Sequence, residues 1–129
     1  MRGAVTLAAM ALSACTATQA DHGADAATDL AEALAERSAG AARRCISASL
    51  PGGPQIIGDT LLYREGRRLW VSRAVGGCPS LRGDPIPIIE VFGGLLCEND
   101  RFRTVQRGSI GIPGPYCRFG PFTPYTEAK

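Results

Sequence analysis

The chain has 129 residues and a formal net charge of +2. That length is enough for one domain and leaves no room for a second. The small net charge conceals an asymmetry: residues 16–42 carry five acids and one arginine, whereas residues 43–129 carry twelve basic and seven acidic residues, a net of +5. The only histidine, His22, falls outside that basic body, which removes the usual neutral-pH general base.

At the N-terminus, Arg2 is the only charge before Asp21, and Gly3 to Leu12 is an apolar run of ten residues broken only by Thr6. A permanent membrane helix needs about 20 residues, so the run predicts the hydrophobic region of an export signal. Leu12-Ser13-Ala14-Cys15 directly follows it and resembles the bacterial lipobox. That resemblance implies cleavage before Cys15 and acylation of its thiol. Each buried methylene contributes about 0.8 kcal/mol, so several chains anchor stably where one does not. Thr16, in place of Asp after the cysteine, implies the periplasmic face of the outer membrane. The alternative is cleavage after Ala20, which leaves a soluble periplasmic or secreted protein. The expected organisation is a signal peptide over 1–14, a lipidated Cys15 with an acidic tether over 15–42, and a body over 43–129.

The tether contains eleven alanines and no aromatic residue. Asp29, with Glu32 at the third helical position, predicts an N-cap, and Gly40 predicts a stop. The result is a short helix over about 30–39, with Leu30 and Leu34 on one face and too little apolar surface to dock firmly.

The body alternates glycines, prolines and brief apolar runs, the pattern of a mainly β domain. Thr60–Arg64 and Arg67–Arg73 predict a hairpin closed at Glu65-Gly66. Its two faces are Thr60/Leu62/Leu69/Val71, expected to be core, and Leu61/Tyr63/Arg68/Trp70, expected to lie under a loop, with Arg68 over an aromatic ring. Further strands are predicted over 45–50, 55–57, 87–92, 102–107 and 116–119. The tail 120–125 is expected to be extended and to pack an aromatic residue on the body. Five to six short strands predict a disulfide-braced antiparallel sheet or barrel-like domain.

Cys15 leaves the cysteine count under either cleavage. Cys45, Cys78, Cys97 and Cys117 remain, an even set that predicts two disulfides in an exported protein, with three pairings open. Their separations lack the close pairs of a zinc site and contain no C-x-x-C. No metal and no cofactor is expected.

The order Cys45, Asp59-Thr60, Cys78-Pro79, Cys97-Glu98-Asn99-Asp100 and Cys117-Arg118-Phe119-Gly120-Pro121-Phe122 resembles an uncharacterised family of small exported four-cysteine proteins and lipoproteins from sphingomonad-type and related bacteria. The likeness spans residues 43–124. It implies export and a cysteine scaffold, and it supplies no catalytic residue.

The chemistry on offer is narrow. Ser72, Ser80 and Ser109 have no histidine partner in the body and read as turn or surface hydroxyls. Glu90, Glu98 and Asp100 are the candidate carboxylates for hydrolysis, but glycosidase-type chemistry needs two across a cleft, and Asp100 reads as a turn residue bonded to backbone. The stronger signal is arginine, eleven of the twelve basic residues of the body. Arg64, Arg67, Arg68 and Arg73 gather at one hairpin; Arg101, Arg103 and Arg107 gather on a second strand. The planar guanidinium fork suits carboxylates and phosphates. Export argues against nucleic acid. The expected role is non-enzymatic binding of an anionic lipid, lipopolysaccharide or an acidic protein by a membrane-anchored body, with Arg64, Arg67, Arg68, Arg73, Arg103 and Arg107 as the anion-binding set. The alternative is an inhibitor or chaperone of an exported enzyme.

Overall fold

The structure is a computed structural model that describes residues 18–50 and 52–129, with side chains from Gly23 onward among the N-terminal residues. The export signal, the lipobox and Cys15 lie outside the described residues.

Alanine is the strongest helix former, and the Ala-rich segment forms α1 (Thr18–Ala33). The helix therefore starts well before the 30–39 stretch expected from Asp29 and Gly40. Asp29 lies inside it, because the alanines upstream sustain helix past a local capping signal. The chain leaves helical geometry through a turn at 34–36, where Glu36 takes φ +59°. Leu30 and Leu34 do share a face, and with Ala26 and Ala33 they cover Ile57, Leu62 and Leu69. The segment is docked on the sheet and is not a free tether; small alanines let the helix approach closely, and Ala26 lies against Gly58.

Ten short strands follow, in antiparallel pairs. They are β1 (Arg37–Ala39), β2 (Cys45–Ser47), β3 (Gln55–Ile57), β4 (Thr60–Glu65), β5 (Arg68–Arg73), β6 (Pro85–Ile89), β7 (Leu95–Cys97), β8 (Arg101–Gln106), β9 (Cys117–Arg118) and β10 (Thr123–Glu127), with a 3-10 turn at Pro79–Leu81. They form a five-stranded sheet in the order β1-β10-β5-β4-β3, a pair β2-β7, and a three-stranded sheet β6-β8-β9. The mainly β class is as expected. All seven ranges read as strands carry one, so the count exceeds five to six, and β1, β7 and β10, whose short or charged sequences carry no strong alternation, bring it to ten.

The β4–β5 hairpin turns at Gly66-Arg67, one residue later than expected, and Glu65 pairs with Arg68. Gly66 has φ +58°, and a two-residue turn of this hand places such a glycine first. Closing at Glu65-Gly66 would force Glu65 into that conformation. The pairing therefore moves by two positions, Leu62 facing Val71 and Tyr63 facing Trp70. A two-position slip preserves side-chain parity, so the two predicted faces survive. Their roles are exchanged, however. Leu61, Tyr63 and Trp70 enter the main core, and the Leu62/Leu69 face lies under α1.

That core is aromatic. Phe102, Phe119 and Phe122 are fully buried, with ring centroids 4.6 Å apart for Phe102–Phe119 and 5.6 Å for Phe119–Phe122. Such pairs add about 0.5–1.5 kcal/mol each beyond area burial. The Tyr63 hydroxyl is buried there without a hydrogen-bond partner among the described residues, and burial pushes its ionisation far above the usual phenol range.

The disulfides are Cys45–Cys97 and Cys78–Cys117. The first crosses directly between register partners of β2 and β7. The second ties the 3-10 turn to β9. The two loops interleave, spanning 52 and 39 residues, and loops of that size correspond to about 4 kcal/mol each in the chain-entropy treatment.

Two positions show the fold's constraints. At Gly120 a Cβ would lie 2.5 Å from the Arg73 carbonyl oxygen, which itself accepts the Gly120 N–H at 2.9 Å. The buried Ser72 hydroxyl donates to the Gly120 carbonyl at 2.9 Å. G120A should therefore cost about 1–3 kcal/mol by overpacking, seen as a lower denaturant midpoint at unchanged slope.

The second position is the edge strand β6. Backbone bonds from Arg107 to Asp84 and from Glu90 to Arg101 fix the ladder. Asp84, Ile86, Ile88 and Glu90 then address β8, while Pro85 and Pro87 turn their missing N–H outward. The outer edge is thereby denied donors for pairing with another strand. The P85T/P87T chain should keep its fold and gain concentration-dependent self-association, read by light scattering; a strictly monomeric variant would refute the edge-guarding role.

Candidate functional site: the arginine surface

At the β4–β5 hairpin the four arginines do not act alike. Arg67 donates to Glu127 through Nε at 2.8 Å, and Arg37 reaches the same carboxylate at 3.1 Å while also donating to the Arg67 carbonyl at 2.6 Å. Arg68 pairs with Glu65 at 3.2 Å and lies 5.4 Å from the Trp70 ring centroid, as expected from sequence. The same Glu65 oxygen accepts the Trp70 indole N–H at 2.8 Å. Arg64 and Arg73 are exposed and have no ion pair among the described residues. A shallow depression of about 390 Å³ is lined by Glu65, Arg67, Arg68, Thr126, Glu127 and Lys129. Glu127 in its wall is already held by Arg37 and Arg67, and Glu65 by Arg68 and Trp70, so the depression is poorly suited to a second anion. The Arg67 hydrogen bond and charge, then Arg37 and Arg64, hold the Glu127 carboxyl below its ordinary range.

The second group lies on the three-stranded sheet. Arg107 pairs with Asp84 at 2.9 Å. Arg101 pairs with Glu90 at 3.2 Å. Tyr116, which the sequence did not single out, donates its hydroxyl to Glu90 at 2.9 Å. The guanidinium carbons of Arg101 and Arg103 lie 4.8 and 4.9 Å from the Tyr116 ring centroid. Arg103 Nε is buried and has no acceptor among the described residues.

The candidate carboxylates are all engaged. Glu90 is held as above, Glu98 lies 3.9 Å from Arg44, and Asp100 accepts the Cys97 N–H at 2.6 Å, the backbone role expected of it. Ser72 is not a surface hydroxyl but a buried strand residue bonded to Gly120. Ser80 lies in the 3-10 turn, 3.2 Å from the Cys78 sulfur, and Ser109 bridges back to Gln106 in a turn. Among the described residues no group of three or more His, Cys, Asp or Glu side chains converges to hold a metal ion, and no helix is long and apolar enough to cross a membrane.

The charge balance follows from these contacts. Glu65, Asp84, Glu90, Glu98 and Glu127 pair with arginines. Asp59 and Asp100 accept backbone N–H groups. All seven acids of residues 43–129 are therefore occupied. Arg43, Arg64, Arg73, Arg82, Arg103 and Arg118 have no carboxylate partner among the described residues; Arg43 instead lies 5.7 Å from the Trp70 ring centroid.

The depressed Glu127 carboxyl has a defined pH signature. A carboxylate stabilised in the folded state contributes above the unfolded value and loses that contribution as pH falls through its lower folded value. The Glu127 midpoint, followed by NMR, should rise towards the ordinary carboxylate value in R67A and rise less in R64A, since Arg67 supplies the hydrogen bond.

No family model matches the chain, and no curated protein or solved structure matches it either.

Proposed function

We propose that the chain is a non-enzymatic lipoprotein of the bacterial envelope, held to the periplasmic face of the outer membrane through Cys15, whose basic body binds an anionic envelope component. The export signal and lipobox support the location. So do the two disulfides, which persist in oxidising compartments, and the resemblance to small exported four-cysteine proteins. The single observation that carries the binding role is the residue of unpaired arginine: every acid of the body is spent on a local contact, and six arginines are left over.

Arg67 and Arg68, counted in the anion-binding set from sequence, enter this proposal in a lesser role because Glu127 and Glu65 already neutralise them. The set is better drawn around Arg64, Arg73, Arg103 and Arg118. The test uses the C15S chain, which has no acyl acceptor, on immobilised lipopolysaccharide. Retention at low salt should weaken steeply as salt rises, and R64A/R73A should elute earlier while R68A elutes near the parent. Absence of retention at low salt on both lipopolysaccharide and phosphatidylglycerol vesicles would eliminate the reading.

A further inference from the structure

The outer face of β8 and the hairpin tip beside it carry features that the ion pairs do not explain. Phe102 and Thr104 are buried, and the alternate residues take the opposite face, on which Arg101 is exposed, Arg103 is half-buried and Val105 is buried. Arg118 is the register partner of Arg101, and Ile88 is the partner of Arg103, which places both on the same face. Glu90 is the one carboxylate in this group, and Arg101 and the Tyr116 hydroxyl already hold it. Arg103 and Arg118 are left unneutralised.

Apolar surface adjoins this charge. The Glu90 N–H donates to the Arg101 carbonyl at 3.4 Å, and two residues later the chain enters a tight tip in which Phe92 bridges Leu95 across Gly93-Gly94. Both glycines have positive φ, +69° and +77°, the requirement of a two-residue turn of this kind. Phe92 is 71 % exposed, Leu95 49 % and Val91 46 %, and Ile88 is exposed beside Arg103. Single exposed apolar residues need no explanation, but here four occur in eight residues, and one of them, Ile88, is the register partner of the unpaired Arg103. The tip lines neither the depression at the β4–β5 hairpin nor a second one bounded by Gln55, Leu62, Arg64 and Leu69. Small-molecule sites are concave; a tight turn carrying exposed Phe and Leu suits a broad surface instead.

Resting on the proposed role as a binder of an anionic envelope component, we propose that this face docks on an anionic phospholipid bilayer. Phe92 and Leu95 enter the boundary between headgroups and acyl chains, as apolar groups of interfacial elements do. Arg103 and Arg118 meet lipid phosphates, for which the guanidinium fork is suited. Tyr116 holds Arg101 and Arg103 over one ring, which fixes the two guanidinium groups side by side.

The test is F92W in the full chain. Trp70, the only native tryptophan, is buried, so its emission is a constant background. The introduced tryptophan should shift to the blue on vesicles of phosphatidylglycerol and phosphatidylethanolamine, and acyl-brominated lipid in those vesicles should quench it. It should remain unquenched on phosphatidylcholine alone. The readout is local to position 92, so attachment through the N-terminus does not mimic it; L95W provides a second probe should F92W fold poorly. R118A should lower partitioning about five-fold, the equivalent of about 1 kcal/mol per arginine at an anionic surface. Salt-reversible retention of the C15S chain on anionic vesicles, with no quenching at either probe, overturns this inference and leaves the anion-binding reading intact. Equal quenching on phosphatidylcholine overturns the charge selectivity proposed here. Loss of all low-salt retention overturns the anion-binding reading itself.

Discussion

The C-terminal stretch from Cys117 to Glu127 has to pass within hydrogen-bond distance of the end of β5, and the rest of the domain is arranged around that passage. Cys117 and Arg118 belong to the three-stranded sheet, whereas Thr123–Glu127 fills an interior position in the five-stranded one. Between them, Phe119 bridges Ala74, Gly120 presses on Arg73, and Phe122 bridges Arg43. Both phenylalanines are fully buried. One segment thus closes two sheets over one core, and only a residue without Cβ fits at the crossing. The Cys78–Cys117 bond holds the start of the segment and the Glu127 cluster holds its end.

This arrangement explains how a small body does without a large aliphatic core. The interleaved disulfides restrict the unfolded chain most where loops are long, and the aromatic cluster concentrates burial in few side chains. The sheets can then be short, and their outer faces are free to carry charge. Ser72 and Asp59 show the same economy: a buried hydroxyl and a carboxylate each satisfy backbone groups where strands switch direction.

Much of the fold was legible because side-chain parity is robust. The β4–β5 turn moved by one residue, yet Leu61, Tyr63 and Trp70 stayed together, as did Leu62, Leu69 and Val71. The choice of core face was not legible, since it depended on whether the Ala-rich helix docks. An alanine face contributes little area, so nothing local announces that it will cover Leu62 and Leu69; the decision is tertiary. Strands such as β1 and β7 are three residues long and take their order from their partners, β10 and β2. The disulfide pairing was likewise undetermined, because spacing carries no record of which strands become neighbours.

The arginine surface was legible as a count and not as a pattern. Sequence proximity grouped Arg64, Arg67, Arg68 and Arg73, but an electrostatic surface is set by what remains after local neutralisation. Glu127 lies far along the chain from Arg37 and Arg67, and it removes both from the field that an approaching anion meets. Exposed ion pairs of this kind contribute little to stability; their larger effect is to decide where positive potential is left over. On the β8 face the outcome is opposite. Glu90 is shared by Arg101 and the Tyr116 hydroxyl, so one carboxylate faces Arg101, Arg103 and Arg118. Arg103 and Arg118 thus stay unpaired on that face, as Arg64 and Arg73 do at the hairpin, and what sets the β8 face apart is that exposed Ile88 is the register partner of Arg103, so that unneutralised guanidinium and apolar surface meet there in a way that composition alone does not contain.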